Sequence, residues 1–227
     1  MATPLSSMQS PESPHARGLK ITEIFTSIQG ESDLVGWPTV FVRLTGCPLR
    51  CRWCDTPYSF QGGEWMDISA IVDRVCEAGV GHVCVTGGEP LSQKRCLDLL
   101  NALCDAGLTV SLETSGALSV ADVDRRVIKV MDLKAPGSDE VERNHWDNLA
   151  FLQPQDQIKI VIADRGDFDW AVAQVRKHGL DRWQVLFSPV WEELQPKTLA
   201  EWILAERAPV RLQLQTHKYL WGEAQGH

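Results

Sequence analysis

No stretch of this chain approaches the run of about 18 apolar residues that a membrane-spanning helix requires, so a bilayer span is not expected. Basic residues are the minority, 22 Lys and Arg against 30 Asp and Glu, for a net charge of −8. A nucleic-acid-binding surface needs a basic face, and this balance argues against one. A disulfide framework is missing too: the seven cysteines are odd in number and follow no regular pattern, which points to a reducing cytoplasm. The first residues lack the basic start and apolar core of a secretory signal. Residues 1–18, rich in Ser and Pro without periodicity, read as a disordered tail ahead of a single domain over 19–227. The 227 residues suffice for one α/β domain with a full core.

From residue 19 strand and helix patterns alternate. Thr39–Thr45 is β-branched and apolar, a buried strand by composition. Asp67 is placed to cap a helix carrying Ile68, Ile71, Val72, Val75 and Cys76 on one side, stopped by Gly79. Further strands are expected at His82–Thr86, Leu108–Glu113, Val127–Leu133, Gln157–Ala163, Trp183–Phe187 and Val210–Gln215. Helices are expected at Gln93–Ala106, Val120–Arg126, Phe168–His178 and Leu199–Glu206. Repeated β-α units of this length imply a parallel sheet with helices packed outside it. Cys47, Gly87, Glu113, Asp132, Ser188 and Thr216 then fall at or just past strand C-termini, the edge where parallel α/β folds bind ligands.

One loop concentrates the chemistry. Gly46–Thr56 holds Cys47, Cys51 and Cys54 in the spacing C-x3-C-x2-C. A structural zinc site normally takes four protein ligands, and a common ferredoxin cluster four thiolates. Three thiolates instead satisfy three irons of a 4Fe–4S cube and leave the fourth open for chemistry. The alternative is a zinc loop completed by a distant His or Cys. Cys76, Cys84, Cys96 and Cys104 lie at apolar periodic positions and read as small buried hydrophobes. In Thr86-Gly87-Gly88-Glu89-Pro90 the glycines let backbone approach a ligand closely, and Pro90 stops the strand.

This cysteine spacing, with the aromatic Trp53 before the last cysteine, resembles the radical S-adenosylmethionine superfamily. Within it, an ordered set of motifs resembles the 7-carboxy-7-deazaguanine synthase family. These are Glu23–Glu31, Arg43–Cys47, Cys54–Thr56, Thr86–Pro90, Glu113–Gly116 and Gln215–Leu220. The resemblance implies a partial (β/α) barrel and a cluster on Cys47, Cys51 and Cys54, whose open iron is chelated by S-adenosylmethionine. It implies that Gly88 and Glu89 hold the amino group of that cofactor, with Trp53, Cys54 and Asp55 on its adenine side. Glu113, Asp132, Leu133, Lys134 and Ser188 are implied contacts at later strand ends; some relatives carry Ser-Pro-Lys where this chain has Asp-Leu-Lys. Thr56 would ligate magnesium, an ion that prefers oxygen ligands.

For substrate, the resemblance implies a carboxylated tetrahydropterin contacted by Ile28, Gln29, Gly30, Thr86, His217 and Arg43, whose planar fork suits a carboxylate. It also implies a homodimer and an external one-electron donor, a flavodoxin or a ferredoxin. In that family the chain ends soon after the Tyr-Leu pair, with the terminal carboxylate near substrate; here Trp221–His227 follow. Two rivals remain at this point: an activase that makes a glycyl radical on a partner protein, and a non-catalytic zinc or electron-transfer module.

Overall fold

A computed structural model describes residues 18–222, 224 and 226. Residues 1–17 of the expected tail lie outside these, and Gly18 already opens the first strand. The strands are β1 (Gly18–Ile28), β2 (Pro38–Leu44), β3 (Glu64–Asp67), β4 (His82–Gly87), β5 (Thr109–Thr114), β6 (Ile128–Leu133), β7 (Gln157–Ile162), β8 (Gln184–Pro189) and β9 (Arg211–Leu212). The helices are α1 (Ile68–Glu77), α2 (Cys96–Asp105), α3 (Arg165–His178), α4 (Pro196–Glu206) and α5 (Thr216–Trp221). All nine strands form one sheet, in the order β3-β1-β2-β4-β5-β6-β7-β8-β9. From β2 to β9 every neighbouring pair is parallel. No helix among the described residues is long and apolar enough to cross a membrane.

The strand pleat divides the residues of this sheet between two very different faces. One face carries Val40, Val42 and Leu44, then Val83 and Val85, Val110 and Leu112, Met131 and Leu133, and Ile158, Ile160 and Ile162. All are buried in the core with Ile71, Val75, Leu99, Leu103, Phe168 and Leu199 from the helices. Each such side chain contributes about 1.5–3 kcal/mol by leaving water. The opposite face carries Arg43, Cys84, Thr86, Glu113, Asp132 and Lys159, which line a cavity.

Helix ends follow local chemistry. The Asp164 side chain caps α3 by accepting from Asp167 N at 2.9 Å, so the helix starts before the expected Phe168. Gly179 closes it in the left-handed region at φ +58°, after a last turn carrying Arg176, Lys177 and His178. The Asp67 side chain occupies the cap position of α1 without making a cap bond.

Several expectations are corrected. β1 and β3, absent from the expected strands, pair antiparallel at one edge, while the expected strands form the parallel part. The segment Val120–Arg126 forms turns instead of a helix. Asp124 accepts from the Arg126 amide at 2.8 Å, a local side-chain bond that competes with helix. Helix α2 begins at Cys96, not Gln93, because the Gln93 amide bridges Lys20 and Thr45 across β1 and the cluster loop. Strand β9 shrinks to Arg211–Leu212, since the chain turns into α5 almost at once. Cys76 is exposed and Cys104 half-buried, whereas Cys84 and Cys96 are buried as expected.

At the base of the barrel His82 links three strands, with Nδ1 2.7 Å from Thr39 Oγ1 and Nε2 3.0 Å from Ser111 Oγ. Burial pushes its pKa down to about 4. A folded value below the unfolded one of about 6.5 means that its stabilisation is complete above pH 6.5 and is lost as pH falls toward 4. His82→Gln is therefore expected to flatten the stability-versus-pH curve between those values, measured as urea midpoints. An unchanged slope would remove His82 as its source.

Candidate active site

A cavity of about 630 Å³ opens at the C-terminal ends of the strands, within the ~300–1,000 Å³ of small-molecule sites. Its walls gather most of the residues singled out in the sequence. Arg43 comes from β2, Thr86 and Gly88 from the end of β4, Glu113 from β5, and Asp132 and Lys134 from β6. Ile28 ends β1 and Gln29 follows it, Cys54, Asp55 and Thr56 come from the cluster loop, and His217 from α5. Beyond α5, Gly222, Ala224 and Gly226 also line it, so the segment past the Tyr-Leu pair reaches the site.

Other expected residues stand behind the walls. Gly30 does not line the cavity, yet no larger residue fits there: a Cβ would lie 2.1 Å from His217 Nδ1. Glu89 is fully buried, and its carboxylate accepts from Leu91 N, Thr114 Oγ1, Ser115 N and Ser115 Oγ. That carboxylate braces the loop, and Gly88 beside it presents backbone to the cavity. Trp53 packs under the Arg52 guanidinium, 5.0 Å from the ring centroid. Leu133 belongs to the core. Ser188 is buried with its Oγ unpartnered.

The cluster loop is braced from several sides. Gly46 N donates to Ser59 O at 2.8 Å, Glu89 N to Gly46 O at 2.8 Å, and Arg52 N to Ser138 O at 3.1 Å. Gly46 itself takes φ +102°. Gly88 presses so closely that a Cβ there would lie 2.5 Å from Gly46 O and 2.6 Å from Cys47 Cβ. Burial pushes the Cys51 thiol up to about 11 and raises Cys47 as well, so metal uptake must displace protons from them.

Among the described residues no three His, Cys, Asp or Glu side chains are gathered for one metal ion. A tetrahedral zinc would need its sulfurs about 3.8 Å apart, from Zn–S bonds of about 2.3 Å, whereas a cube asks each thiolate to reach a different iron. The donor set of one loop fits the cube. Cys84 also faces the cavity but sits two residues down β4 from Thr86, about 7 Å deeper by strand rise. Thr56 Oγ1 lies 3.9 Å from Cys54 Sγ and offers a magnesium ion its preferred oxygen. Two buried polar atoms in the walls, Gln29 Nε2 and Asp132 Oδ1, lack a hydrogen-bond partner. Such orphans are costly unless a ligand satisfies them.

Charges around the cavity come in pairs. Arg43 Nε holds Glu23 Oε1 at 2.7 Å, and Tyr58 OH donates to the same oxygen at 2.9 Å. Lys134 meets Asp132 at 3.2 Å, Lys218 meets Asp55 at 3.2 Å, and Lys159 meets Glu31. Glu31 also accepts from Gln215 Nε2 at 2.8 Å. Glu113 is the odd carboxyl. Burial, reinforced by Glu31 and Asp132 against the pull of Lys159, pushes it up to about 8, so it is protonated at neutral pH. His217 is shifted down by burial and stays neutral.

Glu23, Glu31, Tyr58, Lys159, Gln215 and Lys218 were not singled out as site residues. Glu23, Glu31, Gln215 and Lys218 nonetheless lie inside the motifs that carried the resemblance. Lys159 could have been found as the charge in the apolar run Gln157–Ile162.

A largely parallel open barrel with a three-cysteine loop, Cys54 of which lines the cavity, defines a radical S-adenosylmethionine protein, and the Radical SAM superfamily model matches residues 41–134. The 7-carboxy-7-deazaguanine synthase of Chlorobaculum tepidum is 48% identical over 207 residues, covering 89% of this chain and 94% of that protein. The synthase of Koribacter versatilis is 42% identical over 221 residues, covering 89% and 97%. QueE from Escherichia coli shares the fold, with a TM-score of 0.69 at 23% identity, covering 88% of this chain and 95% of that one. The chain belongs to the 7-carboxy-7-deazaguanine synthase family.

The raised Glu113 value yields a signed expectation. A folded pKa of about 8 against 4.5 means that wild type loses stability as pH rises from 4.5 through 8. Glu113→Gln, neutral throughout, is expected to gain urea stability relative to wild type across that range. A constant difference between the two from pH 5 to 9 would contradict a protonated Glu113.

Proposed function

We infer that this enzyme converts 6-carboxy-5,6,7,8-tetrahydropterin to 7-carboxy-7-deazaguanine with loss of ammonia, a radical ring contraction in queuosine and 7-deazapurine biosynthesis. The observation that carries this reading is one cavity with the cluster loop on one wall and Arg43, Gln29 and His217 on another. When bound, the cluster and S-adenosylmethionine supply the radical chemistry that removes hydrogen from the pterin.

The chain's own residues bind and orient. Arg43, steadied by Glu23, takes the substrate carboxylate as a charge-assisted pair. Gln29 Nε2 gives its unused hydrogen bond to the heterocycle, and protonated Glu113 is able to donate one and accept another. Asp132 and Lys134 hold polar groups of S-adenosylmethionine near Cys54, and Gly88 brings backbone within reach of its amino group. Thr56 would hold magnesium, which would help to orient the substrate. Neutral His217, with Gly222, Ala224 and Gly226, closes the site against water, which strengthens every contact within. We further propose a single domain over 19–227, a homodimer, a cytoplasmic location, and a flavodoxin or ferredoxin as electron donor.

Anaerobic reconstitution followed by turnover with the carboxylated tetrahydropterin tests the reading. A 4Fe–4S spectrum and cofactor-dependent product are expected. Zinc with no cluster spectrum, or S-adenosylmethionine cleavage only with a partner protein present, would overturn it. Arg43→Ala is expected to weaken pterin binding by about 1.5–3 kcal/mol, read as a raised KM. Wild-type affinity in that variant would take Arg43 out of the site.

A further inference from the structure

Helix α5 is only six residues long, too short to hold itself in place. Its position is set by contacts with the rest of the molecule. On one side it meets the turn after β1: Thr216 N donates to Gly30 O at 3.0 Å, Gln215 Nε2 donates to Glu31 Oε1 at 2.8 Å, and His217 packs against Gly30. On the other side it meets the cluster loop, through Lys218 Nζ and Asp55 Oδ2 at 3.2 Å. Successive helical residues point about 100° apart. His217 and Lys218 therefore meet different parts of the wall of one cavity.

The lysine is unusual for a short terminal helix. Its side chain is 8% exposed, while that of Asp55, which lines the cavity, is 45% open. Trp191 flanks the ammonium with its ring centroid 5.9 Å from Nζ, and Tyr219 packs edge-on against the same ring at 5.1 Å. A cation this enclosed needs its carboxylate. Asp55 directly follows Cys54, and Thr56 comes next, so whatever fixes Asp55 fixes the end of the cluster loop.

We propose that Lys218 is a positioning residue that latches the C-terminal segment to the cluster loop through Asp55, coupling the pterin wall of the cavity to the S-adenosylmethionine wall. The role assigned to each wall rests on the proposed function; the latch itself rests on the contacts above. Pterin seated against His217 then tightens the loop that holds the cofactor, with Lys218, itself part of the cavity lining, acting through Asp55. Arginine preserves charge and reach, and methionine preserves only the stem.

Amide hydrogen exchange on the reconstituted full chain, with and without the carboxylated tetrahydropterin, tests the latch. Without pterin, Lys218→Met is expected to speed exchange in 47–56 as well as in 215–222 by about tenfold, with α3 and β7 unchanged and Lys218→Arg close to wild type. With pterin, wild type is expected to gain protection in 47–56 and Lys218→Met only in 28–31 and 215–217. Free 5′-deoxyadenosine released per product should rise several-fold in Lys218→Met and return toward wild type in Lys218→Arg. Unchanged exchange in 47–56 in the methionine variant, or equal effects of Met and Arg, overturns the latch. Failure of wild type to turn over the pterin overturns the proposed function instead, and leaves the pterin-free comparison to decide the latch.

Discussion

Charge inside a barrel must be matched, because an ion removed from water without a partner costs several kcal/mol. Arg43 with Glu23, Lys134 with Asp132, Lys159 with Glu31 and Lys218 with Asp55 meet that requirement around the cavity. These pairs join elements far apart in the sequence: Lys159 of β7 reaches the turn after β1, and Lys218 of α5 reaches the cluster loop. The wall is thus polar enough to receive a charged cofactor and substrate, yet fixed enough to orient them before they arrive. Preorganisation of this kind lowers the reorganisation needed at the moment of reaction.

The cluster loop obeys a different constraint, close approach of backbone. Gly46 supplies a left-handed turn and Gly88 an absent side chain. The Glu89 carboxylate ties the end of β4 to Thr114 and Ser115 at the end of β5. The motif therefore works as a brace as much as a binding surface. Two strand ends are fixed to each other, and Cys47 is fixed against them. Asp132 keeps an unpartnered oxygen in the cavity wall, where a ligand's donor would satisfy it.

Much of this was legible in the linear chain. The alternation of apolar strand and helix gave the parallel core, because the outer face of each strand is one continuous hydrophobic layer. The cysteine spacing and the glycines of residues 86–90 marked the site, since few residue types can do what those positions require. The misses have local causes. Asp124 turned an expected helix into turns and Gln93 delayed the start of α2, while the antiparallel β1 and β3 were not among the expected strands. Cys76, read as buried from its spacing, lies on the exposed side of α1.

The sequence by itself determined which residues bear chemistry and which faces are apolar, for both follow from residue type and short-range period. Only the tertiary structure decided which charge meets which, that Glu113 is left protonated, that Glu89 faces inward as a brace, and that Lys218 spans to Asp55. Those outcomes depend on distance and burial between segments far apart in the chain, Lys218 and Asp55 among them, and no local pattern encodes them.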